Sequence, residues 1–130
     1  MILTVTGCNG NIGRRVVLAA LNSGHTVRGV DTSAIPLDAK YLDDTNFSFS
    51  ELDLRDYSTT LLDIMRGSDA IIHLAAIPTP TDYLVNSHNT YVSTNHSTQE
   101  ISTDRACSNV VISWNILRAA AEVSQLTTYR

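Results

Sequence analysis

Apolar and polar positions change period several times along the chain, and each change marks an element. "ILTVT" (Ile2 to Thr6) is a short β-branched run ending at glycine, the pattern of a strand buried on both faces. From Ile12 the period becomes helical. Ile12, Val16, Val17, Ala20 and Leu21 recur on one side, and "NSG" closes the segment with Gly24 as the stop. "TVRGVD" reads as a second strand, so strand, turn, helix and strand fill about 30 residues, one βαβ unit. "NFSFSEL" alternates like a strand with one covered face, and "YSTTLLDIMRG" is a short helix with Asp56 as N-cap and Gly67 at its end. "DAIIHLAA" is another buried strand, which the two prolines of "IPTP" forbid from continuing. "NVVISWNILRAAAE" supplies a last helix with Val110, Ile116, Leu117 and Ala120 on its apolar side.

Strands alternating with helices predict an α/β fold, a Rossmann-type doubly wound parallel sheet of about four strands ordered 3-2-1-4. The 130 residues suffice for one domain, residues 1–130, with a single core. Apolar residues make up 43% and charged residues 17%, an ordinary globular balance. A formal charge of −4 gives no basic field, which argues against nucleic acid and anionic membrane as partners. Cys8 and Cys107 do not make a disulfide framework, and Cys8 reads as a small space-filler in a glycine-rich loop. No apolar run approaches a membrane span or a signal peptide, so a cytoplasmic location is expected. His73 lies in an apolar strand and reads as a core histidine. His25, His88 and His96 show no ligand spacing, so no metal site is expected, and no serine has a nucleophile-elbow setting.

The chemistry concentrates in "TGCNGNIG". Three glycines cost backbone entropy, and a strand before and a helix after supply the setting of a dinucleotide loop. Gly7 permits the tight turn, Gly10 lets a pyrophosphate approach bare backbone, and Gly13 lets the helix pack closely on the sheet. The helix start offers N–H groups and a positive dipole end to phosphates, with Asn9, Asn11 and Ile12 beside them. Asp31 follows Gly7 at the distance expected of an acid that accepts ribose hydroxyls, and it repels a 2′-phosphate. NAD is therefore the expected cofactor over NADP, with Arg14 and Arg28 as the features that favour NADP. The alternative is that Asp31 merely starts a turn.

These residues carry a resemblance. "TGCNGNIG" resembles the TGxxGxxG loop of extended short-chain dehydrogenases, the NAD-dependent epimerase/dehydratase family. Asp53 in "ELDLRD", with Leu54 beside it, resembles the acid that meets adenine in that family; taken alone, Asp53 reads equally as a turn residue. "HLAA" resembles the motif whose Leu74, Ala75 and Ala76 line the cofactor. "NVVISWN" resembles the NVxGTxN helix start, with Asn109 and Asn115 matching, Ser113 replacing threonine and Ile112 standing at the glycine, and the match implies Asn109 as a further cofactor contact. The resemblance implies an oxidoreductase with a sugar-like or alcohol substrate, and dimers that form through helices including this last one.

It also implies a catalytic tyrosine four residues before a lysine. Lys40 is the only lysine and Pro36 stands four residues before it, so no catalytic residue is assigned and the fold is expected to be incomplete. The chain then reads as a cofactor-binding part without turnover; the alternatives are a non-catalytic dinucleotide sensor or a truncated product without function. A second departure is the polar segment 91–108, which parts two stretches that join naturally as "SHNTNVVISWN". It reads either as a solvated loop or as retained intron. Thr90-Tyr91-Val92 can carry a GTATGT donor, Thr103-Asp104 a CTGAC branch string and Cys107-Ser108 an acceptor, and splicing there restores a threonine codon in frame. Residues 123–130 form an aberrant tail, in which Val123-Ser124 can carry GTAAGT and Leu126-Thr127 CTGAC.

Overall fold

A computed structural model describes residues 1–36, 38–77 and 96–128, with side chains in the last stretch described over 108–124. The elements are β1 (Ile2–Thr6), α1 (Asn11–Asn22), β2 (Thr26–Asp31), β3 (Phe47–Glu51), α2 (Thr59–Met65), β4 (Ala70–His73) and α3 (His96–Thr128). All strand pairs are parallel and the order is β3-β2-β1-β4, as the strand–helix alternation predicts. The register pairs Thr6 with both Val30 and His73, and Asp31 with Glu51. The carboxyl ends of all four strands therefore lie along one rim.

Two core layers sandwich the sheet. On one face Leu3, Val5 and Val27 pack with Val17 and Ala20 of α1; on the other Val30 packs with Leu61 and Met65 of α2 and Ile112 and Ile116 of α3. Each of the large apolar side chains contributes roughly 1.5–3 kcal/mol by leaving water. Tyr41, in the loop after β2, closes the first layer at 3% exposure, with its ring edge-on to Phe47. Ile12, expected on the apolar side of α1, is 67% exposed at the start of the helix.

Three further details differ from the sequence reading. The cap of α2 is Ser58, whose hydroxyl accepts from the Leu61 N–H at 3.3 Å. A capping oxygen must reach an amide two or three positions on, and Asp56 stands too far upstream; its own N–H closes a turn onto the Asp53 carbonyl. Secondly, α3 begins at His96, so residues 96–108 are helical rather than a loop; 91–95, the prolines of "IPTP" and the Cys107 side chain lie outside the described residues. Thirdly, Val110 and Leu117 are 70% and 67% exposed, while Ile112, Asn115, Ile116 and Ala119 face the core. The helix carries two apolar stripes. Asn115 decides between them, because its amide donates to the Leu54 and Arg55 carbonyls at 2.9 Å each. Tyr57 adds a second tie, donating to Glu122 at 2.6 Å under the Arg118 guanidinium. No helix among the described residues is long and apolar enough to cross a membrane.

The Ser58 cap yields a direct test. Ser58→Ala is expected to lower stability by about 0.5–2 kcal/mol, measured by urea unfolding, and Asp56→Ala to leave it within about 0.5 kcal/mol.

Candidate functional site

The rim of the sheet opens into a cleft of about 690 Å³. Its floor is the turn between β1 and α1. The N–H groups of Gly7 and Cys8 donate to the Val30 carbonyl at 2.8 and 3.4 Å, which lays the turn across β2. Gly7 sits at φ +68°, and a Cβ there would meet the Ala75 nitrogen at 2.7 Å and the Leu74 carbonyl carbon at 2.8 Å. A Cβ on Gly13 would overlap the Gly7 oxygen and meet the Cys8 Cα at 2.8 Å. The fold itself demands both glycines.

Gly10 is different. Its φ is −68°, and a Cβ there would touch only the Gly7 oxygen, at 3.3 Å. Gly10 lines the cleft, so its bare backbone is available to whatever occupies that space. Gly10 is also the N-cap of α1 and has no side chain to bond the first-turn amides. Those N–H groups and the positive end of the helix dipole form a ready anion cradle.

Asp31 ends β2 on the cleft wall and organises its surroundings. One carboxylate oxygen accepts from the Asn9 N–H at 2.9 Å; the other accepts from the Ser33 N–H and hydroxyl at 3.2 and 3.0 Å. An acceptor position remains on the first oxygen. Asp53 stands across the cleft, held by Arg55, whose hydrogen bonds and charge keep its carboxyl below the usual 3.8. The Cys8 thiol is buried against Gly29, and burial reinforced by the Asp31 charge pushes it up to about 12. It is a space-filling thiol without thiolate reactivity.

The far wall is the exit of β4. The Thr6 hydroxyl accepts from the Leu74 and Ala75 N–H groups at 3.2 and 3.4 Å and so donates its own proton to His73 Nδ1 at 2.6 Å. The ring proton then lies on Nε2, directed at the Ser113 hydroxyl 3.3 Å away. Burial lowers the His73 pKa from its ordinary value, which favours the neutral ring. His73 is the satisfied core histidine expected of it.

All expected site residues line the cleft except Asn109: Gly7, Asn9, Gly10, Asn11, Ile12, Gly13, Asp31, Asp53, Leu54, Leu74, Ala75 and Ala76 come together there. Asn109 instead pins the chain beyond β4, its Oδ1 accepting from the Ile77 N–H at 2.8 Å. It shapes the wall without facing the space. Thr32, Ser33, Leu52, Arg55, Ile77 and Ile112 also line the cleft. Most adjoin an expected residue in sequence, a signal that could have found them; Ile112 fills space where the family pattern has glycine. Arg28 is removed as an NADP feature, because its guanidinium donates to the Ile64 and Arg66 carbonyls at 2.8 and 2.7 Å and caps α2. Arg14 lines a second cavity of about 510 Å³ outside α1 that shares only Asn11 with the cleft. Among the described residues no group of three or more His, Cys, Asp or Glu side chains is placed to hold a metal ion.

Comparison with known proteins places this geometry. A family profile described as the NAD dependent epimerase/dehydratase family matches residues 3–127. No curated protein matches the chain. Among solved structures, a short-chain dehydrogenase/reductase superfamily protein from Agrobacterium tumefaciens with bound NAD is 26% identical with a TM-score of 0.62, over 95% of this chain and 30% of that one. MoeE5 in complex with UDP-glucuronic acid and NAD is 24% identical with a TM-score of 0.68, over 95% and 33%. A UDP-glucose-4-epimerase from Stenotrophomonas maltophila, with bound NAD and formylated UDP-arabinopyranose, is 23% identical with a TM-score of 0.72, over 95% and 34%. The chain thus spans about a third of the length of these structures. With the profile running through the glycine turn, the β4 exit and α3, the chain belongs to the NAD dependent epimerase/dehydratase family.

Proposed function

We propose that the cleft binds NAD. The observation that carries this reading is Gly10, which lines the cleft at a negative φ and where an added Cβ would meet only the Gly7 oxygen, at 3.3 Å. The first-turn amides of α1 would hold the pyrophosphate, the free acceptor position of Asp31 a ribose hydroxyl, and Asp53 with Leu54 the adenine end. Leu74 to Ala76 would line the other half. A volume of about 690 Å³ suits a ligand of this size. The Asp31 charge disfavours a 2′-phosphate, so NAD is preferred over NADP. Bound NAD supplies a hydride acceptor and donor; the residues described contribute binding and orientation.

The 130 residues hold no tyrosine four positions before a lysine, and the solved relatives are about three times as long. We therefore read this chain as the cofactor-holding portion of an oxidoreductase acting on a sugar-like or alcohol substrate, without turnover by itself. The exposed stripe of Val110, Trp114 and Leu117 is a candidate contact with a second copy. We also read residues 91–108 and 123–130 as retained intron, since joining Thr90 to Asn109 keeps the asparagine that pins Ile77.

Calorimetric titration of the 130-residue chain is expected to give one-to-one NAD binding, with affinity reduced at least tenfold in Asp31→Ala, the loss of a hydrogen bond to a charged group. NADP is expected to bind more weakly, and incubation with NAD and UDP-glucose to yield no NADH absorbance. Absence of NAD binding, or an Asp31→Ala variant that binds equally well, contradicts the reading. For the insert, transcript sequencing is expected to show molecules in which the Thr90 codon is joined to Asn109; retention of both segments in every read overturns it.

A further inference from the structure

Seven arginine and lysine side chains are described, and four of them are engaged. Arg28 donates to the carbonyls at the end of α2, Arg55 pairs with Asp53, Arg66 pairs with Asp63, and Arg118 lies over the Tyr57 ring. The other three are Arg14, Arg15 and Lys40, whose side chains form no hydrogen bond or ion pair among the described residues. All three line the second cavity, the space of about 510 Å³ between α1 and the loop after β2.

Gathering like charges without partners is unfavourable, and here it occurs in a chain of net charge −4. The fold makes the cluster, because Arg14 and Arg15 come from α1 while Lys40 arrives from a distant loop. Asp38 is the one carboxylate in the lining, so the cations are not balanced from within. The remaining surface is of another kind. Leu18 stands one helical turn beyond Arg14, and the buried Tyr41 ring completes that side. The Tyr41 hydroxyl has no hydrogen-bond partner among the described residues. Burial pushes it up from its ordinary 10.0, and the Arg14 charge works against that rise.

We propose that this cavity is a second ligand site, for a small phosphomonoester with a hydroxyl on its carbon body, filled independently of the cleft. Two guanidinium groups and an ammonium suit the three oxygens of a phosphate dianion, since arginine binds phosphate in a bidentate fork and lysine as a point charge. The Asp38 carboxylate would accept from the hydroxyl, and Leu18 with the Tyr41 ring would cover the carbon body. The volume lies within the range of small-molecule sites. Cavity and cleft share only Asn11, and neither Asp31 nor Ser33 lines the cavity, so its occupant is a separate molecule rather than one end of a dinucleotide. The inference does not rest on the NAD reading, and failure of either leaves the other standing.

The test is calorimetric titration of the full chain with glucose 6-phosphate at fixed ionic strength, with glucose as the uncharged control. One-to-one binding with a Kd on the order of 1 mM or tighter is expected for the phosphate, and none for glucose. Arg14→Gln and Arg15→Gln are each expected to weaken binding about tenfold or more, while Arg66→Gln, outside the cavity, binds as wild type does. Thermal melts give a second readout. Glucose 6-phosphate is expected to raise the midpoint of wild type and of Arg66→Gln but not of the two cavity variants, whose melts without ligand stay near wild type. Saturation with NAD is expected to leave the affinity within about threefold. Absence of glucose 6-phosphate binding, or binding that survives both cavity variants, overturns the site. Displacement by NAD or NADP places the phosphate on a dinucleotide's ground and overturns its independence.

Discussion

The site depends on one close approach, that of the bare Gly7 Cα to the main chain leaving β4. A single added Cβ would sit 2.7 Å from the Ala75 nitrogen, so no other residue lets the first turn and the fourth strand meet. Their contact joins the two walls of the cleft, and Thr6 ties it by accepting from the Leu74 and Ala75 amides. Gly13 repeats the constraint one turn later, bringing α1 down onto the turn oxygen. Everything that faces the cleft inherits its position from these contacts: the first-turn amides, Asp31 across β2, and the β4 exit.

Around that joint the polar groups form a chain of fixed acceptors and donors. Asp31 braces the turn through Asn9 and the next loop through Ser33, and Asp53 is braced by Arg55. α3 contributes without lining most of the space, since Asn109 holds Ile77 and Asn115 holds the 54–55 carbonyls. The helix acts as a splint along both loops. Its two asparagines stand six residues apart, about 120° apart around the axis and about 9 Å apart along it, so each reaches a different loop.

The glycine turn, the strand order and about two thirds of the cleft lining were legible in the sequence because each rests on local chemistry. Glycines are unfavourable unless a positive φ or a close approach requires them, and strand–helix alternation leaves few topologies. What was not legible depended on tertiary choices. Val110 and Leu117 stand on one apolar stripe of α3 and Ile112 and Ile116 on another, and hydropathy alone cannot say that the Asn115 hydrogen bonds turn the second inward. Arg28 reads as a free cation until the carbonyls at the end of α2 are seen to receive it. Tyr41, in a loop of mixed apolar and polar residues, gives no periodic signal of the core position it fills. Ser58 and Asp56 are both acceptable caps by type, and only the reach to Leu61 separates them.

The central claim is that the glycine turn, the ends of β2 and β3 and the β4 exit form a single dinucleotide cleft. Amide chemical-shift mapping during an NAD titration tests it most directly. The account predicts perturbations confined to residues 9–13, 31–33, 53–55 and 74–77, with the outer face of α3 around Trp114 unmoved. A spectrum that does not change, or one whose shifts fall on that outer face instead, would contradict it.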